Sequence, residues 1–314
     1  MSQADVAIVG AGPAGCAAAL AAAEAGARVV LLDEQPGVGG QLRWRVAPVH
    51  GLAPELEGLP GVRAAAALAE RLAAAGVEVR SGTVAWGLFE DNVLGLVAGE
   101  AATTLRAAHV IVASGSTDRV EPFHGWTLPG VLTARAAQIF LHIHRVLPGR
   151  QIVVVGSGAE ADEVAHDLAA AGAEVVARAA GTDQLQASGD GGVAEVQIGE
   201  QAYAADTIVL ALGRQPDPAL ALQARVATGY DAAAGGQVPL RDARLATSQP
   251  GLSVVGDAAG LVTLAEGWAE GRLAGLVAAG ADDAAIAAAQ DALEHRRSPE
   301  RAATVARLRA AAGA

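Results

Sequence analysis

This chain of 314 residues has no lysine and only one cysteine, Cys16. The formal net charge of −12, with no basic stripe anywhere in the chain, argues against a nucleic-acid partner. A single cysteine excludes an intrachain disulfide, a redox-active cysteine pair and a four-cysteine iron–sulfur cluster. Disulfide reduction by the chain's own thiols is therefore not among the functions to consider.

Metal ligands in a recognisable pattern and membrane-spanning segments are also lacking. His142 and His144 lie two residues apart on a predicted helix and point in different directions, so they form no metal pair. The apolar runs are interrupted by glycines and charges, and the N-terminus has no basic segment with a cleavage site. We expect no metal, no membrane span and a cytoplasmic location.

The segment from Ala4 to Gln35 has the pattern of a dinucleotide-binding unit. A predicted strand, Val6 to Val9, leads into Gly10, Gly12 and Gly15 in G-x-G-x-x-G spacing, and an alanine-rich helix follows. Gly10 permits a sharp turn, Gly12 lets a pyrophosphate approach the main chain, and Gly15 packs the helix on the strand. The N–H groups at the helix start then face the phosphates.

An acid follows at the expected distance. The second predicted strand, Arg28 to Leu32, ends in Asp33, where a carboxylate meets ribose hydroxyls in such units. A glycine-rich loop ending at Gln41 comes next, at the edge of the sheet where ligands bind. The alternative, a glycine turn without a ligand, does not explain why all of these features occur together.

The rest of the first half reads as further sheet. The pattern predicts an amphipathic helix over Ala64 to Ala75 and two short strands on either side of Gly82. A fully apolar strand, His109 to Ala113, ends in Ser114 and Gly115, a small pair that permits close approach to a ligand. Residues 117–149 then read as a connection with one helix.

A second, imperfect copy of the opening unit follows. Residues 151–178 again give strand, G-x-G-x-x-A turn, helix and strand, and this internal repeat predicts a second nucleotide-type domain. Its second strand ends in Arg178 rather than an acid, and Glu160 and Asp162 lie beside the turn, where they oppose a pyrophosphate. Only about thirty residues separate Arg178 from the next apolar strand, which spans 207–212. This is too few for the further helix and strand of a complete domain. Binding of NAD(P) is therefore doubtful, although Arg178 leaves a 2′-phosphate, and hence NADPH, open.

The last third supplies one more candidate. A strand, Leu252 to Val255, stops at Gly256 and Asp257, and this carboxylate can accept hydrogen bonds from a ribityl chain. A turn or helix-cap aspartate is an equally good interpretation of the same residue. A small-residue helix over Ala265 to Ala279 is expected to pack on the first domain, and a final charged helix begins at Ser298 and Pro299.

The order of these motifs resembles the flavoproteins with two dinucleotide domains, the glutathione reductase and thioredoxin reductase group. The resemblance implies FAD on the first unit and a ribityl-pyrophosphate contact for Asp257. It also implies that the helix starting near Leu264 and Ala265 meets the pyrimidine edge of the flavin. The A-T-G motif of that group is present as Ala113, Ser114 and Gly115.

Four longer motifs give a closer resemblance: D-E-Q-P-x-x-G-G-Q, F-H-G-W-T-L-P-G-V-L-T, Y-D-x-x-x-G-G-Q-V-P and E-G-R-L-A-G-L. They are similar to the FAD-binding α subunits of heteromeric amine and imino-acid dehydrogenases, a group that includes opine oxidase, proline or hydroxyproline dehydrogenase and hydrogen cyanide synthase. The resemblance implies an electron-transferring subunit whose partner, a second flavoprotein, oxidises the amine. The missing cysteine-rich region and the short second domain depart from that pattern, and both argue against a cluster relay within the chain and direct use of NAD(P)H.

The sequence thus predicts an α/β protein with two Rossmann-like dinucleotide-binding domains, the second one shortened. Residues 1–119 and 223–314 are assigned to a discontinuous FAD-binding domain and residues 120–222 to a reduced NAD(P)-binding-like domain. The predicted cofactor-binding residues are Gly10, Gly12, Pro13, Ala14, Gly15, Asp33, Glu34, Gln35, Gly40, Gln41, Val84, Ala113, Ser114, Gly115, Gly256, Asp257, Leu264 and Ala265.

Three functions are compatible with these features. The favoured one is an FAD-dependent oxidoreductase that transfers electrons within a hetero-oligomeric amine or imino-acid dehydrogenase, next to a second flavoprotein subunit, with or without a further small redox subunit. The others are a free-standing NAD(P)H-dependent flavoprotein reductase or monooxygenase, and a non-catalytic flavin-binding scaffold. The loop Phe123 to Val131 and the arginine-bearing helix Pro299 to Arg309 are the candidate partner contacts.

Overall fold

The computed structural model describes residues 2–313, which form two compact units. Unit 1 combines the chain up to Ser116 with the chain from Gln215 onward, and unit 2 is the stretch from Thr117 to Arg214. The sequence-based boundaries lie slightly further along the chain, at 119/120 and 222/223. The difference at the second boundary has a physical reason, because Asp217, which precedes the predicted boundary, is bonded to unit 1: its N–H donates to the Gly115 oxygen at 3.1 Å.

The strands and helices alternate as in other α/β proteins. In chain order the strands are β1 Ser2–Val9, β2 Val29–Leu32, β3 Glu78–Arg80, β4 Thr83–Phe89, β5 Val93–Ala98, β6 Ala101–Val112, β7 Ser116–Asp118, β8 Val131–Thr133, β9 Gln151–Gly156, β10 Glu174–Ala179, β11 Leu185–Ser188, β12 Glu195–Ile198, β13 Gln201–Ala204, β14 Thr207–Ala211, β15 Arg214–Pro216, β16 Thr228–Asp231, β17 Gly236–Pro239 and β18 Leu252–Val254. The α-helices are α1 Pro13–Glu24, α2 Gly61–Ala74, α3 Ala134–His142, α4 Ala159–Ala170, α5 Ala219–Gln223, α6 Leu264–Ala278, α7 Asp283–Glu294 and α8 Pro299–Ala312. Among the helices of residues 2–313, none has the length and apolar character that a bilayer crossing requires.

Unit 1 is built on a seven-stranded sheet in which β6 is the central strand. Strands β3, β2, β1 and β6 lie side by side and run parallel, as the strand–turn–helix–strand pattern of the opening segment predicts. On the other side of β6, antiparallel β5 pairs with its first half and parallel β18 with its second half. The carboxyl ends of β1, β6 and β18 therefore lie next to each other, at the edge where α/β sheets bind ligands.

Helix α1 is buried along most of its length and packs closely against α6. The contact depends on glycines of α6, since a Cβ on Gly271 would collide with the backbone oxygen of Ala14, and one on Gly275 with that of Ala18. The small-residue helix predicted over 265–279 is thus present as α6. Its glycines let the two helix backbones approach each other.

Unit 2 contains a four-stranded parallel sheet in the order β10-β9-β14-β8, with α3 and α4 packed on its apolar side chains. Two features of this unit differ from the prediction. The stretch 117–149 is not only a connection, because it supplies the edge strand β8. A three-stranded antiparallel sheet, β11-β12-β13, follows β10 where a complete dinucleotide domain would continue with a further helix and strand.

The α1–α6 contact gives the first testable prediction. Gly275→Ala raises helix propensity, worth roughly 1 kcal/mol, yet places a Cβ against the Ala18 carbonyl. We expect the collision to prevail and the free energy of unfolding to fall by about 1–3 kcal/mol, measured by urea denaturation. The control is Gly181→Ala, where no atom lies within 4 Å of the added Cβ. A more stable Gly275→Ala protein would contradict this account of the helix contact.

Candidate cofactor site

Two glycines of the first turn are required by packing. Gly10 has a φ of +102°, and a Cβ there would collide with the backbone oxygen of Ala113 at the end of β6. A Cβ on Gly15 would collide with the backbone oxygen of Gly10. These two positions accept only glycine because the turn, α1 and β6 are in backbone contact, as the spacing predicted.

Gly12 differs from both of its neighbours in the motif. Its φ of −71° is open to any residue, and no atom lies within 4 Å of a Cβ built on it. It is the N-cap of α1, no side chain caps this helix, and Pro13 occupies the first helical position. The fold therefore does not require a glycine here. A side chain would fill open space in front of a helix N-terminus, which is where anionic groups bind.

Asp33 lies beside this turn. One of its carboxylate oxygens accepts the Ala11 N–H at 2.6 Å and the other accepts the Gln35 N–H at 2.8 Å. Burial raises the pKa of Asp33, and these two hydrogen bonds partly oppose that rise. The carboxylate is thus fixed next to the glycine turn, because it joins the Ala11 N–H of the turn to the Gln35 N–H that follows β2.

The loop after β2 folds back onto the same turn. The Gly39 N–H donates to the Ala11 oxygen at 2.7 Å, and a Cβ on Gly40 would lie 2.8 Å from the Cα of Gly12. Gly40 begins a short 3₁₀ helix that includes Gln41 and ends at Trp44. This backbone contact brings the predicted G-G-Q motif to the side of Gly12.

The residues that follow β6 and those at the start of β4 are held in place by hydrogen bonds. The Ser114 hydroxyl donates to the Asp217 oxygen at 2.9 Å, and the Asp217 N–H donates to the Gly115 oxygen at 3.1 Å. These bonds hold the residues that follow Ala113. The Thr83 N–H donates to the main-chain carbonyl oxygen of Asp33 at 2.9 Å, so the exposed Val84 follows a residue bonded to the Asp33 backbone.

Gly256 and Asp257 lie next to the start of α1. A Cβ on Gly256 would be 3.0 Å from the Cβ of Ala14. Asp257 is 8% exposed and accepts hydrogen bonds from the Ser116 hydroxyl at 3.0 Å and from the Val262 N–H at 3.1 Å. The second bond is the turn-stabilising role that the sequence left open, and it coexists with a position at the candidate site.

The structure thus gathers most of the predicted site residues around the N-terminal end of α1. Leu264 and Ala265 lie at the start of α6, where Ala265 faces Gly51, and Val84 lies at the start of β4. These three residues are at the margins of the cluster. All of the predicted residues belong to unit 1.

Sequence reasoning missed a buried charged group behind Gly256. Glu270 of α6 is fully buried, accepts the Gly256 N–H at 2.8 Å and pairs with Arg241 through two hydrogen bonds of 3.0 and 2.9 Å. Burial opposes ionisation of Glu270, but the charge and hydrogen bonds of Arg241 outweigh it and hold the pKa of Glu270 below its usual range. Glu266 and Glu270, four residues apart on a helix whose other charged residue is Arg272, were the available signal.

The second glycine turn, in unit 2, has a different geometry. Gly156 repeats the role of Gly10, since a Cβ there would collide with the Ala211 oxygen, but Gly158 has a φ of +81° where Gly12 has −71°. Glu160, at the start of α4, accepts the Gly213 N–H at 3.1 Å, and burial raises its pKa. A carboxylate thus lies beside this turn.

Arg178, at the end of β10, is paired within the unit. Its guanidinium donates to Asp162 at 2.7 Å. The positive charge that could meet a 2′-phosphate is therefore shared with an acid of α4. Both contacts, this one and that of Glu160, weigh against a dinucleotide on unit 2.

The chain belongs to the pyridine nucleotide-disulphide oxidoreductase family, whose model matches residues 4–187. The A subunit of opine oxidase from Rhizobium meliloti (strain 1021) is 30% identical over 326 residues, which cover 88% of this chain and 71% of that protein. The alpha subunit of sarcosine oxidase from the same strain is 34% identical over 196 residues, but these cover 55% of this chain and only 18% of that protein. The crystal structure of L-proline dehydrogenase from P.horikoshii is similar with a TM-score of 0.82 and 25% identity, over 93% of this chain and 59% of that one.

These comparisons confirm the predicted fold class and the resemblance to the opine oxidase type of flavoprotein. The protein is an oxidoreductase with two dinucleotide-type domains, and its family implies a flavin or dinucleotide cofactor. The family match spans both glycine turns.

The second turn gives a prediction about nicotinamide nucleotides. We expect NADH to show no saturable binding to unit 2 at micromolar concentration, because the Glu160 carboxylate repels a pyrophosphate. Calorimetric titration of the purified protein measures this. Glu160→Gln is expected to bind NADH more tightly than the parent, and Glu200→Gln, which removes an exposed acid between β12 and β13, is not. Micromolar affinity in the parent protein would show that the turn accepts a dinucleotide as it is.

Proposed function

We propose that unit 1 binds one FAD across the N-terminal end of α1. The observation that carries this proposal is Gly12, a glycine that packing does not require, placed beside open space and next to the carboxylate of Asp33. A glycine kept where the chain itself has room for a side chain is explained by a ligand backbone that approaches the main chain there. The residues present fit a dinucleotide.

Particular residues would hold each part of this cofactor. The backbone N–H groups at the start of α1 face the pyrophosphate, with Gly12 giving access to them. Asp33 is the ribose acceptor, since each carboxylate oxygen accepts one N–H and has a second lone pair for a hydroxyl. Asp257 would accept from the ribityl chain, and the N-terminus of α6 at Leu264 would meet the pyrimidine edge of the flavin, as the family resemblance implies. When bound, FAD supplies hydride and single-electron transfer.

We infer that the protein is the electron-transferring FAD subunit of a hetero-oligomeric amine or imino-acid dehydrogenase. The support comes from relatives that are themselves named as subunits: the A subunit of opine oxidase, the alpha subunit of sarcosine oxidase and the HcnB subunit of hydrogen cyanide synthase. Alignments with the sarcosine oxidase proteins cover only 18 to 22% of their length, so this chain corresponds to one part of those longer subunits. The partner is then a second flavoprotein that oxidises the amine, with or without a small redox subunit.

The single cysteine, Cys16, does not offer a second redox group beside the proposed flavin. Cys16 is fully buried in α1, and its thiol donates to the Ala11 oxygen at 3.2 Å. Burial raises the pKa of this thiol to about 12. A protonated thiol behind the glycine turn does not exchange with disulfides.

The C-terminal helix is a weaker candidate for the partner contact than its sequence indicates. Arg301 pairs with Glu266 at 3.0 Å, Arg307 with Asp231 at 2.7 Å and Arg309 with Glu294 at 3.3 Å, all within unit 1. The arginines of α8 thus have internal partners. In the loop Phe123 to Val131, by contrast, Trp126 is 45% exposed, which suits an aromatic anchor at an interface.

The cofactor assignment is tested at Gly12. We expect the purified protein to be yellow and to release one FAD, identified by mass spectrometry. Gly12→Val is expected to remain folded by circular dichroism, because the added side chain meets open space, and to lose FAD. Full FAD occupancy in this variant would show that the first glycine turn does not bind FAD. Release of a nucleotide without a flavin from the parent protein would overturn the FAD proposal itself.

The hetero-oligomer proposal is tested by the size of the native complex. We expect the untagged protein in its source cells to elute with a second flavoprotein that is reduced by an amine or imino acid. Trp126→Ala, in unit 2, is expected to weaken this complex. Trp86→Ala removes an exposed tryptophan of unit 1 and is not expected to weaken it. A monomer or homodimer that turns over substrate alone would instead favour a free-standing reductase or oxidase.

A further inference from the structure

We propose that Glu270 and Arg241, a buried ion pair assigned no role by the sequence motifs, are positioning residues for the cofactor turn at Gly256 and Asp257. This inference rests on the proposed FAD site of unit 1. The pair touches the backbone on both sides of Val255, and so it sets where Asp257 lies relative to the start of α1.

The hydrogen bonds of the pair converge on this segment. One oxygen of Glu270, Oε2, accepts both the Gly256 N–H at 2.8 Å and Arg241 Nη1 at 3.0 Å, and Oε1 accepts Arg241 Nη2 at 2.9 Å. Arg241 Nη1 also donates to the Val254 oxygen at 2.7 Å. One guanidinium and one carboxylate therefore fix the last residue of β18 and the first residue of the cofactor turn together.

The turn leaves little room for adjustment. A Cβ on Gly256 would already lie 3.0 Å from the Cβ of Ala14, and Gly256 has a φ of +65°. A small displacement of this backbone changes the distance between Asp257 and the helix N-terminus that would face the pyrophosphate. The ion pair is thus placed where a small shift matters for ligand binding.

A carboxylate is needed at position 270, and an amide does not replace it. All the groups that face Glu270 here are donors: the Gly256 N–H, two nitrogens of Arg241, and Arg297 Nη2, which lies 3.9 Å from Oε1. In Glu270→Gln, either orientation of the amide turns an NH₂ group toward at least one of these donors. The Gly256 N–H then loses its acceptor or Arg241 loses its fork.

A second buried glutamate, Glu266, lies next to Glu270 and has its own arginine partners. Glu266, one helical turn earlier, is 2% exposed and is paired with Arg297 at 3.4 Å and Arg301 at 3.0 Å. Burial and the neighbouring Glu270 raise the pKa of Glu266. Arg297, between α7 and α8, and Arg301 of α8 thus balance the charge of Glu266, which leaves Arg241 as the partner of Glu270.

The test compares FAD binding by apoprotein variants. We expect Glu270→Gln to raise the FAD dissociation constant by about tenfold or more, as is usual when a hydrogen bond to a charged group is lost, and to change the visible circular dichroism of the bound flavin. Arg241→Lys keeps the charge and is expected to give a smaller change in both. The control is Glu55→Gln, since Glu55 pairs with Arg71 of α2, away from Gly256 and from the arginines that pair with Glu266 and Glu270.

The outcomes separate this inference from the FAD assignment. If the parent protein does not bind FAD, the proposed function fails. If the parent binds FAD and Glu270→Gln and Arg241→Lys bind it with the same affinity and spectrum, the positioning role is wrong. It is also wrong if Glu270→Gln and Glu55→Gln weaken binding equally for an equal loss of apoprotein stability in urea. Should Glu270→Gln not fold, the spectrum and affinity of Arg241→Lys decide between the two outcomes.

Discussion

The backbone contact between α1 and α6 is the constraint on which the rest of unit 1 depends. Gly271 and Gly275 let α6 lie directly on the carbonyl groups of α1, so the two helices have almost no freedom to slide. The start of α1 then has a fixed position relative to Gly256 and to the ends of β1 and β6. Most of the candidate cofactor contacts in this unit lie around that helix start. The packing of the two helices therefore sets the geometry of the candidate site.

The two glycine turns of the chain show how one pattern can serve two different purposes. Gly10 and Gly156 are both required by backbone contacts with the neighbouring strand. Gly12 and Gly158, the next glycines, both have open space beside them. They differ because Gly12 has an ordinary backbone conformation, whereas Gly158 has a positive φ and a helix start that carries Glu160. The pattern reflects the fold in both units, but only in the first does it place a glycine that the backbone conformation does not require.

Much of this structure could be predicted because its causes are local. The strand–turn–helix units follow from glycine sterics and apolar periodicity within about thirty residues, and so Asp33 and Gly256 could be located from the sequence. The edge strand β8 could not, since its three residues become a strand only by pairing with the distant β14. The roles of Glu266 and Glu270 were hidden for the same reason, because the partner arginines come from remote segments.

The sealed position of Cys16 has a practical consequence. Burial raises the pKa of this thiol to about 12, so it stays protonated near neutral pH, and the sulfur is out of reach of solvent. The folded chain therefore behaves as a cysteine-free protein toward thiol reagents. A cysteine introduced at an exposed position on either unit would be the only reactive one, so spectroscopic probes can be attached at chosen pairs of sites without removing the native residue.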